Sequence, residues 1–593
     1  MPLTLAQQAV VEATTGHLIV LAGPGSGKTH TITEKILFLF HEAVISEPYG
    51  LLAITFTNAA ANEMRSRLRS KGFRQWDQIW VGTFHGFGHY LLTCYGGDVG
   101  IRENFKVIEG DEQYEILQRI ASERLRGVRV RDLLDQITNF KRQGIYPGRG
   151  DERLARSLRI AYTEYQRVLT ERNLVDFADL MAFSVRLLKE SELAKRLFTN
   201  FFRYVVVDEF QDTNQQQLEM VRIMATDAQG STVVADDDQA IYRFRGADRT
   251  NIVTLERLLD AERFTLDTNF RSDQVIVDAA NSVINYEANR TPKGIVAASD
   301  RRGHLYKQEF PNVMAEAQQV ITWISELYEA NKVEDWGEIA VITRHHWRAE
   351  QVLDNMDEAQ IPWFDRARLN FQDSWETTLG LSILGLSCDL DSSDGLYRVM
   401  VAVENGGLAY YLDDEDALDI ALRIRECFAS SQDWEPKPAN AQTILDTAQI
   451  DEMLRKYARS DNEYTRLSDN LHTMVADVVQ EAQSLKLTLE KTIDRLDGYG
   501  AVQAISSHGS KGQEFDYVFM VGLEDDVLPD YRARIDEEVD EERRIFYVSL
   551  TRARKAAYLT NALERLMPWG KLQEKSPSRF ISHIPEQFFS SAE

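Results

Sequence analysis

Short runs of apolar residues alternate along the chain with stretches in which apolar positions recur every three or four residues. The run HLIVL at His17–Leu21 precedes HTITEKILFLF, a pattern typical of a helix. A second apolar run, VVV at 205–207, ends in charged residues. Such short runs predict buried parallel strands, and strands that alternate with helices predict an α/β fold with parallel sheets.

A longer amphipathic pattern lies in the second half of the chain. From Gln449 to Leu485 the sequence reads QIDEMLRKYARSDNEYTRLSDNLHTMVADVVQEAQSL, with apolar residues three and four positions apart. This spacing keeps the apolar side chains on one face of a helix. It therefore predicts folded helices here and not a flexible linker.

The loop after HLIVL carries candidate phosphate-binding chemistry, because it reads AGPGSGKT. The backbone N–H groups of such a glycine-rich loop can wrap phosphates, and the helix dipole adds to the attraction. Lys28 can reach the β- and γ-phosphate oxygens, and the Thr29 hydroxyl can bind Mg²⁺. The sequence predicts an ATP and Mg²⁺ site formed by Ala22, Gly23, Pro24, Gly25, Ser26, Gly27, Lys28 and Thr29.

Two adjacent carboxylates follow the second predicted strand, in the sequence VVVDEF. Adjacent acids at a strand end repel one another unless a cation or a reaction uses them. We expect Asp208 to hold Mg²⁺, directly or through water. We expect Glu209 to orient and deprotonate the water that attacks the γ-phosphate. The pair predicts hydrolysis of the nucleotide and not merely its binding.

Composition narrows the class of protein. The 593 residues carry a formal net charge of −26, so any polyanion must bind in a local groove and not on a uniformly basic surface. Cys94, Cys388 and Cys427 form no CxxC pair, which disfavours a disulfide framework or a metal site. The sequence has no signal peptide and no apolar run long enough to span a bilayer. We expect a cytoplasmic protein of several domains that does not bind membranes.

The remaining motifs resemble, in order, those of the UvrD/Rep/PcrA group of superfamily 1A DNA helicases. LTLAQQAVV resembles the family's adenine-reading Q motif. The resemblance covers nearly the whole chain and is weak only from Leu379 to Gly500. The other matching segments are AITFTNAAANEMRSRL for motif Ia, VGTFHGFG for Ib, VVADDDQAIYRFRGAD for III, LDTNFRS for IV, SSHGSKGQEFDYVFMVGLED for V and EERRIFYVSLTRAR for VI.

The resemblance assigns further residues to the nucleotide. Gln7 would read the adenine, and Gln239 would sense the γ-phosphate and couple it to DNA binding. Arg271 and Arg552 would reach the phosphates from the second lobe and stabilise transition-state charge, beside the catalytic Lys28. Three further positions complete the implied nucleotide contacts: His30, Phe270 and Glu514.

Some positions depart from the family's usual residue. His30 stands where Arg is usual and Phe270 where Tyr is usual, and two flat rings can still sandwich the adenine. Phe244 replaces a common Trp, which keeps a stacking surface of smaller area. Ala59 replaces a Lys, which implies one phosphate contact fewer.

Single-stranded DNA of any sequence offers flat bases, on which aromatic side chains stack. A separate basic stretch, from Arg119 to Arg172, holds 13 Lys and Arg against 7 Asp and Glu. It fits a strand- or duplex-facing surface and a solvated helical face equally well. The resemblance places four stacking residues and three phosphate contacts on the DNA path: Phe56, His85, Tyr242 and Phe244, then Asn58, Thr83 and Arg245.

The resemblance also implies two RecA-like lobes with ATP between them, each with a mainly helical insertion. The predicted function is an ATP-driven motor that moves 3′ to 5′ on single-stranded DNA and separates duplex at ss/ds junctions. The implied division is lobe 1A at 1–92 and 195–265, insertion 1B at 93–194, lobe 2A at 266–378 and 497–593, and a shortened insertion 2B at 379–496.

Two other functions fit parts of the sequence. A helicase–nuclease is disfavoured because few residues follow motif VI, and for the same reason we expect no RNA-polymerase-binding extension. A non-unwinding ATP-dependent DNA clamp or recruitment subunit needs no turnover. The set Glu209, Gln239, Arg271 and Arg552 therefore disfavours a clamp. We expect a monomer or weak dimer.

Overall fold

Contacts divide the chain of the computed structural model into two compact units. Residues 266–277 and 284–300, which the resemblance assigns to lobe 2A, belong to the first unit. The first unit comprises Met1–Val277, Ile284–Asp300 and Ile535–Tyr547, and the second comprises Asp278–Val283, Arg301–Arg534 and Val548–Glu593. The structure describes residues 2–108, 110–125, 128–147, 155–288, 290–365, 375–392, 396, 398–400, 402–403, 417–430, 436–458, 461–485, 488–497, 500–566 and 571–590.

Six parallel strands form the main sheet of the first unit, in the order β3-β2-β6-β7-β1-β8. Ile19 and Leu21 enter one apolar core, and Leu18 and Val20 enter a second core on the opposite face. Burial on both faces explains the continuous apolar runs in the sequence. The strands are β1 (Gly16–Ala22), β2 (Gly50–Thr55), β3 (Ile79–Thr83), β6 (Phe202–Val207), β7 (Gly230–Ala235) and β8 (Glu262–Leu266).

Helices pack around this sheet, and three of them, α5 to α7, share a core of their own that buries Leu117, Ile137 and Tyr165. A parallel pair, β4 (Lys106–Ile108) and β5 (Leu174–Asp176), lies in the same part of the chain. The helices are α1 (Leu5–Glu12), α2 (Lys28–His41), α3 (Asn58–Ser70), α4 (Phe84–Tyr95), α5 (Asp111–Arg124), α6 (Val130–Arg142), α7 (Arg156–Arg172), α8 (Phe177–Glu190), α9 (Glu192–Phe201), α10 (Gln215–Thr226) and α11 (Thr250–Leu259).

The second unit contains another six-stranded parallel sheet, in the order β11-β16-β15-β12-β14-β13. Val341, Phe519 and Tyr558 lie in its core. Two parallel sheets with helices confirm the predicted α/β fold of two RecA-like lobes. The strands are β11 (His304–Phe310), β12 (Ile339–Thr343), β13 (Trp363–Phe364), β14 (Val502–Ser506), β15 (Phe515–Met520) and β16 (Ala553–Ala562).

Helices α15 to α20 of the second unit form a separate apolar core around Leu384, Ile444 and Met474. The amphipathic pattern from Gln449 to Leu485 correctly predicts two of these helices, and parts of 379–496 lie outside the described residues. The helices are α13 (Val313–Glu329), α14 (Glu350–Glu358), α15 (Trp375–Cys388), α16 (Ala417–Ser430), α17 (Ala441–Thr447), α18 (Ile450–Tyr457), α19 (Asp461–Leu485) and α20 (Leu489–Asp497).

The remaining elements are short pairs of strands and two helices. Strands β9 and β10 pair in parallel, whereas β17 and β18 pair antiparallel. Across the described ranges, none of the helices combines the length and the apolar character that a membrane span requires. The bounds are β9 (Thr268–Asn269), β10 (Val296–Ala297), β17 (Glu564–Leu566), β18 (Leu572–Glu574), α12 (Gln274–Ile284) and α21 (Asp536–Leu550).

Candidate nucleotide and nucleic-acid site

The carboxyl ends of the parallel strands of the first unit share one edge of the sheet, where open α/β sheets bind ligands. Predicted nucleotide residues follow β1, β6 and β7, and predicted DNA residues follow β2, β3 and, further along the same loop as Gln239, β7. Because β2 pairs with β6, the two groups are neighbours along this edge. Ala22 ends β1, Thr83 ends β3, and Phe56, Asp208 and Asp236 directly follow β2, β6 and β7.

The phosphate loop adopts a backbone conformation that depends on glycine. Gly25 and Gly27 have φ angles of 64° and 74°, and a Cβ atom at Gly25 would lie 2.6 Å from Arg271 Cβ. The Ser26 hydroxyl donates to the Gly23 carbonyl at 2.8 Å. Within the described ranges, no acceptor takes the N–H group of Gly25 or Gly27. The loop therefore presents donors of the kind that bind phosphate oxygens.

Gln7 connects helix α1 to this loop. The buried Gln7 amide donates from Nε2 to the Ser26 carbonyl at 3.0 Å, and its Oε1 accepts from the Thr4 N–H at 2.9 Å. The second contact is half of a capping box at the start of α1. The structure thus places Gln7 against the phosphate loop, where the resemblance expects a nucleotide contact.

Lys35 is a second connection between α1 and the loop helix α2, and the sequence analysis missed it. Its fully buried ammonium donates to the carbonyls of Val10 at 3.0 Å, Val11 at 3.2 Å and Ala13. Burial lowers the pKa of Lys35 to about 8. A lysine among the buried positions of HTITEKILFLF was the available signal, since a buried ammonium requires acceptors.

The two carboxylates after β6 lie beside the lysine of the phosphate loop. Burial, together with the charge of Glu209, raises the pKa of Asp208 to about 7, against the opposing effect of Lys28. The Lys28 ammonium lies 3.2 Å from Glu209 Oε1. Glu209 has φ 52° and ψ 41°, a left-handed conformation that is strained for a residue other than glycine. Such strain is typical of functional positions.

Gln211 holds the Glu209 carboxylate from the other side and was also missed by the sequence analysis. Its Nε2 donates to Glu209, while its Oε1 accepts from the Asp236 N–H at 2.9 Å. One amide therefore links the end of β6 to the end of β7. The link ties the position of the candidate base to the segment that carries Gln239.

The residues present fit ATP and Mg²⁺. The loop offers N–H donors, and the buried Asp208 has a raised pKa that a nearby divalent cation would lower. His30 Nε2 is buried without a hydrogen-bond partner among the described residues, whereas Nδ1 lies 3.8 Å from Glu34 Oε1. His30 directly follows Thr29, so this buried nitrogen is available to a ligand bound at the phosphate loop.

Three consecutive aspartates after β7 form a compact acidic cluster, but two cations already neutralise it. Lys293 hydrogen-bonds Asp236 and lies 2.7 Å from Asp237 and 3.0 Å from Asp238. Arg290 donates two hydrogen bonds to Asp238, at 2.9 and 2.7 Å. The cluster is therefore a buried ion network and not a free metal site. The sequence spacing gave no indication of Lys293 or Arg290.

Gln239 depends directly on this network. Its amide is 4% exposed and donates from Nε2 to Asp236 Oδ2 at 2.5 Å. Asp236 in turn contacts Lys293 through its other oxygen. The ion network thereby fixes the side chain that the resemblance assigns to sensing the γ-phosphate.

The segment that carries Phe270 and Arg271 is fastened to the phosphate loop. The Phe270 N–H donates to the Gly25 carbonyl at 2.8 Å. Asn269 donates to the Pro24 carbonyl at 2.7 Å and accepts from the Arg271 N–H at 2.8 Å. Asn269 is a positioning residue that the sequence analysis did not single out, although it lies within LDTNFRS.

The predicted residues of the second unit have clear partners there. Arg552 is 1% exposed and donates to the carbonyls of Val548 at 2.9 Å and Gln513 at 3.1 Å. Glu514 is exposed and pairs with Arg554. The Arg552 guanidinium is therefore buried and does not take part in a salt bridge at the protein surface.

The four predicted stacking residues lie on the first unit, three of them in one ring cluster. The rings of Phe56 and Tyr242 are stacked at 5.8 Å between centroids, and Phe244 meets Tyr242 edge-on at 6.0 Å. Phe244 is 65% exposed. His85 packs edge-on against Phe177 at 5.4 Å, and Phe177 is an exposed ring that the sequence analysis missed within LVDFADLM.

The polar DNA candidates border these rings. The Arg245 guanidinium lies 5.0 Å from the Tyr242 ring centroid and 5.6 Å from that of Phe244. Thr83 caps α4 by accepting from the Gly86 N–H at 3.1 Å, and the exposed Asn58 begins α3. Each helix start adds N–H groups that attract phosphate.

Some basic residues between Arg119 and Arg172 form ion pairs within the protein and stabilise the fold. Lys141 is fully buried and lies 2.6 Å from Asp176 and 2.7 Å from Asp179. Arg167 pairs with two glutamates of its own helix. Arg126, Arg149 and Arg153 lie outside the described residues.

Comparison with known proteins matches both halves of the chain. A family model described as UvrD/REP helicase N-terminal domain matches residues 3–260, and one described as UvrD-like helicase C-terminal domain matches 264–404 and 419–564. ATP-dependent DNA helicase PcrA of Staphylococcus epidermidis is 30% identical over 634 residues, covering 99% of this chain and 86% of the relative. PcrA of Bacillus subtilis is 30% identical over 641 residues with the same coverage, and PcrA of Staphylococcus aureus is 28% identical over 634.

Proposed function

The chain belongs to the UvrD/Rep family and is an ATP-dependent DNA helicase, and from this premise we propose that it moves 3′ to 5′ along single-stranded DNA. The direction rests on the resemblance to the family, and the observation that supports ATP-driven movement is the shared sheet edge. Residues with nucleotide chemistry follow β1, β6 and β7, and stacking residues follow the adjacent β2 and β3 and also β7. Loss of the γ-phosphate could therefore be transmitted over a short distance to the residues that contact DNA.

One loop supports the coupling between the two groups. Gln239 lies near its start, held by Asp236, and Tyr242 and Phe244 lie further along it. A shift of Gln239 toward or away from a γ-phosphate would move the backbone that carries both rings. Alternate gripping and release of bases through such a loop is a direct way to convert hydrolysis into movement.

For the chemical step we assign roles within the first unit. The phosphate loop and Lys28 would hold the phosphates, Thr29 and Asp208 would hold Mg²⁺, and Glu209 would orient and deprotonate the attacking water. Bound Mg²⁺ supplies positive charge to the phosphate oxygens. The strained backbone of Glu209 and its contact with Gln211 support its role, because both restrict the carboxylate to one position.

The other roles implied by the resemblance remain part of the proposal. Gln7, His30 and Phe270 would contact the adenine, Glu514 the nucleotide, and Arg271 and Arg552 the phosphates. We also retain the four-part division into lobes 1A and 2A and insertions 1B and 2B. The expected partners are single-stranded DNA and ss/ds junctions, and the expected state is a monomer or weak dimer in the cytoplasm.

Strand displacement tests the proposal. Duplexes with a 3′ or a 5′ single-stranded tail are incubated with ATP and Mg²⁺, or with a non-hydrolysable analogue. We expect displacement only with ATP and mainly from the 3′-tailed duplex. Equal displacement from both substrates, or a preference for the 5′ tail, would overturn the polarity. Tight DNA binding without displacement of either substrate would favour the non-unwinding clamp.

A further inference from the structure

Arg142, the last residue of α6, lies against the loop that carries the stacking residues. A Cβ atom at Gly246 would lie 3.3 Å from Arg142 Cδ, so the arginine stem packs on the residue next to Arg245. Arg142 is half-buried and Arg245 is exposed. Helix α6 therefore brings a second arginine to the loop that carries Tyr242, Phe244 and Arg245.

The two guanidinium groups repel one another without a carboxylate between them. Burial, and after it the charge of Arg245, lowers the pKa of Arg142, while Asp135 and Asp176 act in the opposite direction. Asp176 is already bonded to Lys141 at 2.6 Å. Throughout the described ranges, neither Arg142 nor Arg245 lies within 4.0 Å of a carboxylate oxygen.

The neighbouring lysine shows that this arrangement is specific to Arg142. Lys141 has two carboxylates and is completely buried, so its charge is satisfied inside the fold. Arg142, one residue later, forms no such pair among the described residues, and its stem packs on Gly246 next to Arg245. Burial, and after it the charge of Arg142, lowers the pKa of His85, whose ring packs on Phe177.

We propose that Arg142 and Arg245 together bind a backbone phosphate of single-stranded DNA. This inference rests on the proposed function, because it names a contact with the same strand. A phosphate supplies the negative charge that the two guanidinium groups need as a partner. Each planar guanidinium can donate two hydrogen bonds to it. The flanking rings would then stack the bases on either side of that phosphate. Insertion helix α6 thereby becomes part of the strand-binding surface.

Binding of labelled oligo(dT) to the full chain, measured by anisotropy over a series of salt concentrations, tests the proposal. Arg142→Met keeps an unbranched apolar stem and removes the charge. We expect about tenfold weaker binding and a salt slope reduced by about 0.7, the value for one phosphate contact on a single strand. Arg131→Met removes the same charge from an exposed position on the same helix and should change neither quantity.

A second measurement separates a binding role from a structural one. Removal of one of two repelling charges should leave the melting temperature of the DNA-free protein unchanged or raise it. Arg142→Lys keeps a point charge but not the planar fork, so it should restore the salt slope and only part of the affinity. A lower melting temperature for Arg142→Met, together with unchanged DNA affinity, would overturn the proposal.

The outcomes also distinguish this inference from the proposed function. Wild-type protein that does not bind oligo(dT) would contradict the proposed function itself. Wild-type binding that Arg142→Met and Arg131→Met leave equally unchanged would overturn the phosphate contact and leave the proposed function in place. Weakened binding in Arg142→Met alone, with the reduced salt slope, supports both.

Discussion

Two clusters of like charge in the first unit have opposite surroundings. Asp236, Asp237 and Asp238 are buried, and Lys293 and Arg290 contact their carboxylates directly. Arg142 and Arg245 lie at a partly open surface, where no carboxylate of the described chain pairs with either. The acidic cluster is complete within the fold, whereas the basic pair is not.

Whether a charge cluster is paired within the protein distinguishes a structural role from a binding role. Buried charges are tolerated when they are paired and hydrogen-bonded, and a satisfied network of this kind supports the geometry of its neighbours. Here the supported neighbour is Gln239. Like charges left together without a partner cost free energy unless a ligand supplies the opposite charge. The acidic cluster therefore positions a residue, and the basic pair is a candidate binding site.

The largest expected effect separates chemistry from strand binding. Glu209→Gln should lower DNA-stimulated ATP hydrolysis by about 100- to 10,000-fold, the range for a positioned general base, because the water loses its base. Oligo(dT) affinity should stay as in wild type, since Phe56, Tyr242 and Arg142 are untouched. Steady-state ATPase assays and anisotropy measure the two quantities.

The control is Glu112→Gln, which removes a similar charge from an exposed position that pairs with Lys106. It should retain nearly full hydrolysis. If Glu209→Gln kept more than about a tenth of the wild-type rate, the assignment of Glu209 as base would be wrong.

The next effect tests whether the acidic cluster is structural. Lys293→Met removes a fully buried cation that contacts three carboxylates, and loss of one partner of a buried ion network costs about 3–5 kcal/mol. We expect a correspondingly lower free energy of unfolding for the first unit, measured in urea. Hydrolysis should also fall, because Asp236 no longer holds Gln239 in place.

Lys189→Met serves as the comparison for this loss. Lys189 is half exposed and lies 2.7 Å from Glu219, so its removal should cost about 0–1 kcal/mol. Equal stability of the Lys293 and Lys189 variants would contradict the idea that the aspartate cluster depends on its buried cation.

A smaller effect tests the stacking surface beside the basic pair. Phe244→Ala removes a ring that is 65% exposed, and loss of one stacked base costs about 1–3 kcal/mol of binding free energy. Oligo(dT) binding should weaken, and ATP hydrolysis should become uncoupled from strand displacement. Tyr49→Ala is the control, because Tyr49 precedes β2 and lies at the opposite edge of the sheet. If Phe244→Ala displaced the strand as fast as wild type at limiting DNA, Phe244 would not be a stacking residue for DNA bases.

The smallest effect concerns His85. Burial, and after it the charge of Arg142, lowers the pKa of His85 to about 4 from its usual 6.5. The unfolded chain therefore takes up a proton before the folded chain does, so this residue costs stability as the pH falls from about 6.5 to 4. His85→Gln should lose less stability than wild type between pH 7 and pH 5, as measured by urea midpoints.

Loss of an exposed imidazole provides the control for this pH dependence. His41 is 85% exposed at its side chain, and His41→Gln should follow the wild-type pH profile. Parallel profiles for the wild type and the His85 variant would show that His85 is protonated alike in both states, contrary to its environment beside Arg142.

Features that depend on neighbouring residues could be predicted from the sequence alone. Continuous apolar runs identified β1 and β6, since both faces of the sheet are covered. The glycine-rich loop and the adjacent Asp208 and Glu209 predict the nucleotide site, because a phosphate-binding loop is built from consecutive residues. The ordered motifs identified the family, which the comparisons confirm.

The contacts between charged residues far apart in the sequence became visible only in the folded chain. Lys293 reaches Asp236 across 57 residues, and Arg142 reaches the loop at Gly246 from a separate helical layer. Lys35 is anchored to carbonyls of α1, which precede it by more than 20 residues. Local patterns contain no information on such pairings, because strand order and helix packing bring these side chains together. The same composition of arginine and aspartate therefore yields a complete ion network in one place and an open phosphate contact in another.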